Sequence, residues 1–588
     1  MSNIQIDHIE ADIVVCGGGI AGALAAIEAA RRGKKVVVLE RANTYRSGSA
    51  GSGIDHLTSY VPPFHEAIGY TKQMMKDETA EGFIGRGLGN RRITDHFVDV
   101  SYERILSLEE FGLKLRGFED SHLPEGFRMV PQFQNVPTSI NFEGRDLKVK
   151  LTDGMRKYGA TIINHAQVVK VLTDAEGKAS GAVAVSSRED LVYVVSAPAV
   201  ILAVAGGLSK LTFPCNREDR HLEKPSASGS GSAVSLAIGA GAQVANLEFT
   251  LSHGELSYMG FSTRVGSPGS SWWPAARVVD DDDEVFVKRI YDYPVDEPDY
   301  VKKHTIMWKE FMDEFYAMSP ALAHGRQLYM DLEEATQKEV DYIRWTLGHE
   351  GRCWLWLRNL VEAGIDLKDV KIPYRYDDKV SMNGPCSGVV VNEKTETTVS
   401  GLFAAGDTMG LAIGSGPVAV VFGIEAGFQA SNYVETARKT DGRVTAAEAA
   451  QVEAVIAQLK HFKEPEGDRW QDAEARIRDI VNTFGGVPLT DARVRHGREQ
   501  LAELRDHLKI YARNPHEMAR AFQVLALLDS AEAIFAAADY RKEGFGPYKR
   551  VHRFAEWKNY DKRVEPEKTA AFAIYYLWEE QRICYKQN

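Results

Sequence analysis

The sequence predicts an α/β fold: a Rossmann-like dinucleotide-binding domain with an inserted β-meander, an α+β capping domain and a C-terminal helical domain. Three observations predict it. Residues 11–40, ADIVVCGGGIAGALAAIEAARRGKKVVVLE, read as an apolar strand, a glycine-rich turn, an alanine-rich helix and a second strand closing on an acid. Residues 160–207 read as successive short strands, ATIINH, QVVKVLTD, ASGAVAVSS, LVYVVS and APAVILAVAGG. From Thr445 onward, apolar residues recur at helical spacing in several long segments.

In the first unit each glycine has its own task. Gly17 allows the tight turn, Gly19 lets the backbone approach a pyrophosphate, and Gly22 lets the helix pack on the strand. The helix start, with Ala21 in its first turn, offers free N–H groups to phosphate. Glu40, at the end of the second strand, is placed to accept a hydrogen bond from a ribose hydroxyl, with Arg41 beside it. Residues 46–60, RSGSAGSGIDHLTSY, are small and polar, so backbone can lie close to a ligand at Ser47, Gly48 and Ser49. The three middle strands of residues 160–207 form a meander inserted in the nucleotide domain, and the last strand runs into Ala205, Gly206 and Gly207, which with Val168 of the meander are candidate cofactor-binding residues. SASGSGSAVSLAIGAGA, residues 226–242, is a second glycine-rich turn followed by a small-residue helix. On this evidence the dinucleotide is FAD or NAD.

The domains are expected at 1–246 (nucleotide-binding, first part), 247–372 (cap), 373–440 (nucleotide-binding, second part), 441–545 (helical) and 546–588 (a tail packed on the body). The 588-residue length exceeds what one core supports. A formal net charge of −12 argues against nucleic acid or anionic lipid as partners. Small molecules and proteins are expected instead, and a homo-oligomer is compatible. The start, MSNIQIDHIEADIVV, has no basic segment followed by an apolar core, and no uninterrupted apolar run of membrane-spanning length is expected. The five cysteines lack CxxC spacing, which disfavours a disulfide framework or an internal iron–sulfur cluster and fits a reducing cytoplasm. The acidic run 280–284 lacks the spaced ligands and glycine of a calcium loop, reads as a solvated hairpin tip, and supports no metal assignment.

GLFAAGD, residues 401–407, is a second cofactor signal. Together with the first unit, the meander and AVAGG, it resembles the fumarate reductase and succinate dehydrogenase flavoprotein superfamily over nearly the whole chain. The RSGSAG segment and the chain length most resemble the alpha subunit of adenylylsulfate reductase. The resemblance implies FAD, with the first turn on the pyrophosphate, Glu40 on the adenosine ribose and Asp407 on the ribitol chain. Gly406, Gly416 and Val418 fall beside that site. Succinate dehydrogenases attach flavin to a His after Arg-Ser; Gly48 stands there in this chain, which implies non-covalent FAD. The superfamily's TGDG turn is replaced by Ser228-Gly-Ser-Gly231.

The substrate side departs from those relatives. LEFTLSH resembles the MEFVQFH motif and places His253 at a substrate-side histidine, but no threonine–glutamate pair follows. Tyr300-Val-Lys-Lys-His304 is similar to the LRNHQ stretch of adenylylsulfate reductases, with Lys302 for the arginine. HYTMGG becomes KVSMNG, exchanging a carboxylate-binding His for Lys379, and GSHSG becomes GPCSG, putting Cys386 where a His is expected. The loop 411–417 has no arginine. Neither fumarate nor adenylylsulfate is therefore assigned as substrate. His253 is a candidate to orient substrate or shuttle a proton, or is a hydrogen-bonded structural His. Lys302 and His304 are candidates to stabilise a developing anion, or form a solvated cluster. Lys379 would clamp a carboxylate or sulfo group if it points inward. Cys386 is a candidate nucleophile or proton donor, or a buried structural thiol. The expected activity is transfer of a hydride or electron pair between flavin and a small anionic substrate; the alternative is a flavoprotein subunit docked to an iron–sulfur partner.

Overall fold

The structure is a computed structural model. It describes residues 4–51, 53–81, 89–131, 136–208, 211, 229–248, 250–251, 254–258, 261–262, 276–287, 326–349, 354–376, 382–383, 386–410, 415–437, 445–485, 489–540, 567–568, 572–577 and 582–587.

The chain opens with β1 (Gln5–Glu10), then β2 (Ile13–Cys16), α1 (Ile20–Arg31) and β3 (Val36–Glu40). After β4 (Ile54–Thr58), α2 (Pro62–His65), α3 (Lys72–Glu81) and α4 (Arg91–Leu106) come β5 (Arg128–Pro131), β6 (Pro137–Gly144), α5 (Leu147–Lys157) and β7 (Thr161–Asn164). Then follow β8 (Ala166–Thr173), β9 (Ala179–Ser186), β10 (Leu191–Ser196), β11 (Ala199–Leu202) and α6 (Ser232–Gly239). The central sheet is all parallel, in the order β7, β3, β2, β11 and the strand Leu402–Ala404. IVVC, VVVLE and AVIL are buried along their whole length, as strands of a sheet covered on both faces must be. Alternation decides which cover each side chain meets. Ile13, Val15, Val36, Val38 and Ile201 join the core with α1, α5 and the helix Gly416–Thr436. Val14, Cys16, Val37, Leu39, Val200 and Leu202 join the core with the meander and the C-terminal helices.

β8, β9 and β10 pair antiparallel as the expected meander. β1, which the sequence reading does not pick out, extends it, running parallel to β10 with Gln5 opposite Leu191. QIDHIE carries polar residues and is mostly exposed, the composition of an edge strand, which masks the usual apolar signal. The acidic run sits at a hairpin tip between strands Arg277–Asp280 and Val285–Val287. There Asp280 Oδ1 accepts the N–H groups of Asp282 and Glu284 at 3.0 and 2.9 Å.

These strands belong to a six-stranded sheet accompanied by helices Gln337–His349 and Trp354–Glu362, giving this region its α+β character. Beyond it lie helices Ala446–Phe462, Trp470–Phe484, Asp491–His507 and Pro515–Tyr540. Thr445 and Glu448 close a capping box on the first of these. Pro515–Tyr540 is long and apolar enough to cross a membrane by composition, yet 78 % of its apolar window is buried in the fold. The end of the chain pairs rather than merely packing: strand Arg582–Gln587 adds to Val244–Ala245, with Tyr585 opposite Val244.

Candidate functional site

The C-terminal ends of β2, β3, β11 and strand Leu402–Ala404 converge, which is where open α/β sheets bind ligands. Gly17 leaves β2 at φ +100°, and a Cβ there would lie 2.4 Å from the Ala203 carbonyl oxygen. A Cβ on Gly22 would lie 1.8 Å from the Gly17 carbonyl oxygen, so α1 can pack on the turn only through glycine. Gly19, the N-cap of α1, differs: a Cβ there would meet nothing within 4 Å. That open space lies at the helix N-terminus, where the first-turn N–H groups have no acceptor within the helix. It is a cradle for an anion.

Glu40, 7 % exposed, accepts from Gly18 N–H through Oε2 and from Ala42 N–H through Oε1, both at 2.7 Å. Each carboxylate oxygen keeps a further lone pair. Beyond the ribose acceptor that the sequence predicts, Glu40 is the clasp joining β3 to the turn. Arg41 is half-buried and its Nη1 lies 3.5 Å from Ser230 Oγ. Gly48, at φ +78°, stands over the turn, a Cβ there lying 3.5 Å from Gly19 Cα. Ser47 is buried beside it and Ser49 is partly exposed.

The second motif docks on the first. Ala405 N–H donates to Leu202 at 2.9 Å, and a Cβ on Gly406 would lie 2.9 Å from that of Ala21. Asp407 accepts from Ser415 N–H at 2.6 Å. Burial pushes its carboxyl upward and the Ser415 bond opposes this. Ser415 adopts φ +82° ahead of Gly416, a sparsely populated backbone state of the kind that collects at functional sites. Gly416 abuts Ile54, and Val418 is fully buried. The Ala205–Gly207 loop, with Ala205 at φ +61°, meets the other glycine turn where Gly231 N–H donates to Gly207 at 3.2 Å. Val168 is buried in the meander.

Of the five substrate-side candidates, His253, Lys302, His304 and Lys379 lie outside the described residues, as do Ser228 and loop 411–414. Cys386 is described. It is buried at φ +65°, and its carbonyl accepts from Asn246 Nδ2 at 3.2 Å. Its neighbour Gly388 lies against the Thr408–Gly410 backbone, so Cys386 reaches the Asp407 turn through only a few residues. Cys16, also buried, is an inert thiol, pushed up to about 12 by desolvation.

Around the turn, the buried hydroxyls of Thr44, Ser47 and Thr408 have no hydrogen-bond partner among the described residues. Together with the open space at Gly19, they fit a polyhydroxylated, phosphorylated cofactor. The sequence reading overlooked Lys148 on α5, which is buried and donates from Nζ to the Gly18 carbonyl. Its signal was faint: Leu147, Leu151 and Met155 mark the buried stripe, and Lys148 with Thr152 borders it.

A family described as FAD binding domain matches residues 12–419. L-aspartate oxidase of Streptomyces coelicolor is 26% identical over 274 residues, 44% of this chain and 43% of that protein. Vinyl phenol reductase of Lactiplantibacillus plantarum is 26% identical over 243 residues, 40% of this chain and 47% of that protein. The chain thus spans less than half the length of the curated relatives it matches. Among solved structures, adenylylsulfate reductase of Archaeoglobus fulgidus superposes with a TM-score of 0.74 at 19% identity, covering 100% of this chain and 96% of that one. A quinol fumarate reductase FrdA of E. coli gives 0.72 at 18% identity, covering 99% and 97%. These likenesses describe the fold.

Proposed function

Because the chain belongs to the FAD binding domain family, and FAD is its cofactor, we propose that it is an FAD-dependent oxidoreductase acting on a small, anionic organic substrate. The observation that supports this most is the docking of the Asp407 turn on Ala21, beside the open space at Gly19 and the Glu40 carboxylate. The pyrophosphate would lie on the N-terminus of α1, the adenosine ribose on Glu40 and the ribitol chain on Asp407. When bound, the flavin supplies hydride or electron-pair transfer.

This chain's residues would do the rest. Buried Asp407, held by Ser415 N–H, orients hydroxyls. Ser47 and Gly48 close over the turn, and with Gly48 rather than a histidine after Arg46 and Ser47 the FAD is held without a covalent bond. His253, Lys302, His304 and Lys379 are proposed to orient the anion and move a proton, and Cys386 to approach from the Asp407 turn. The expected test is anaerobic mixing of reduced protein with enoates, sulfo compounds, aromatic acids and a vinyl phenol, following recovery of the oxidised flavin band, and of oxidised protein with L-aspartate, following its bleaching. A panel giving neither recovery nor bleaching would remove this reading. His253→Ala is expected to slow that recovery while leaving flavin content unchanged; unaltered rates would remove His253 from the mechanism.

A second reading, a flavoprotein subunit docked to an iron–sulfur protein in a reducing cytoplasm, is favoured by the full-length likeness to adenylylsulfate and fumarate reductases. Co-purification of an iron–sulfur polypeptide from the native host supports it; a lone chain turning over with a diffusible donor argues for the first.

A further inference from the structure

Lys148 stands at the start of α5 with none of its surface exposed. Its Nζ donates to the Gly18 carbonyl, while Gly18 N–H donates to Glu40 Oε2 at 2.7 Å. Gly18 thus bridges the two charges, taking the Lys148 ammonium at its carbonyl and giving its N–H to the Glu40 carboxylate. An ammonium has three donors, and the hydrogen bond to Gly18 accounts for one of them among the described residues. Burying such a charge costs several kcal/mol unless it is well compensated. Desolvation accordingly brings the Lys148 ammonium down to about 8, with the Glu40 carboxylate opposing.

Packing does not ask for this charge. Leu147, Leu151 and Met155 already fill the buried stripe of α5, and Thr152 satisfies its hydroxyl on the Lys148 carbonyl at 2.8 Å. The turn does ask for it. An anion-binding turn must present N–H groups and keep carbonyl oxygens away from the anion. Glu40 also sets a carboxylate close to where a pyrophosphate would lie, and that like charge needs an opposing one.

We propose that Lys148 is a positioning residue of the FAD site, pinning the Gly18 carbonyl on the far side of the turn and balancing Glu40 so that a pyrophosphate can rest on α1. The inference rests on FAD occupying this turn. Lys148, enclosed behind the backbone, acts through Gly18 and Glu40 and does not touch the cofactor.

The test uses the full chain stripped of flavin, titrated with FAD by flavin fluorescence, with melting temperatures of both forms. In Lys148→Met the flavin-free melting temperature stays level or rises, since a buried charge is removed, while the FAD dissociation constant rises about tenfold. Lys148→Arg, which keeps the charge, stays within roughly threefold of the native constant. Native FAD affinity in the Met variant overturns the proposal. So does a flavin-free melting temperature that falls as far as the FAD-bound one, or an equal loss in Met and Arg variants. If Lys148→Met does not fold, Lys148→Gln against Lys148→Arg decides it, equal affinities overturning it. A native chain that binds no FAD would instead remove the cofactor assignment.

Discussion

Gly19 and Gly22 lie three residues apart, yet the fold uses them for opposite reasons. A Cβ on Gly22 collides with the Gly17 carbonyl oxygen, whereas one on Gly19 enters open space. Gly22→Ala is therefore expected to lower stability by about 1–3 kcal/mol, measured by denaturant unfolding of the flavin-free chain. Gly19→Ala is expected to leave that unfolding almost unchanged and to weaken FAD binding, because its methyl occupies the cradle. The spacing of both glycines was legible in the sequence. The distinct role of each was not, because it depends on what stands across the gap. Glu40 shows the same limit: its place at a strand end was legible, but its bonds to Gly18 and Ala42 follow from how the turn folds back. Lys148 was illegible because one lysine among several on a short helix carries no sign of its burial.

Between elements, α1 and the helix Gly416–Thr436 approach closely because a Cβ on Gly423 or Gly427 would lie 2.6 or 2.4 Å from the carbonyl oxygens of Ala21 and Ala25. Gly427→Leu is expected to disrupt this packing and, through Ala21, the Asp407 turn, so flavin content falls along with stability. The same helix meets α4 at Glu425, where His96 Nε2 stands 3.7 Å and Arg104 Nη2 4.0 Å away. Burial works to raise the Glu425 carboxyl, but the His96 and Gln429 side chains and the Arg104 charge outweigh it, holding it below its ordinary 4.5. A lowered carboxylate adds stability above the unfolded value, and the addition disappears as pH falls through the folded value. Glu425→Gln should therefore be less stable than the native chain at neutral pH, with the gap closing as pH falls below the carboxyl's ordinary 4.5. A gap that widens on acidification would refute this. Thr445→Ala, which removes the capping box, is expected to cost about 1 kcal/mol in thermal unfolding.

At the scale of the whole molecule, four strand ends and two distant motifs meet at the proposed FAD site, so binding there would join residues 17–22 to residues 401–410 and 415–418. Ligand at a hundredfold excess over its dissociation constant is expected to add about 2.7 kcal/mol of stability, read as a raised melting temperature. Flavin should leave on acid precipitation; flavin retained in the pellet would contradict non-covalent binding. By itself the sequence determined the parallel α/β core, the meander, the helical C-terminal region and the cofactor's motifs, because strand burial, helical period and glycine spacing act over a few residues. It missed β1 and the pairing of strand Arg582–Gln587, whose partners are remote in the chain. Only the tertiary structure decided that Gly406 meets Ala21, that Gly388 lies against Thr408–Gly410 and that Lys148 donates to the Gly18 carbonyl. Those are long-range contacts, and the apolar patterning that folds each segment does not specify which buried polar group will face which.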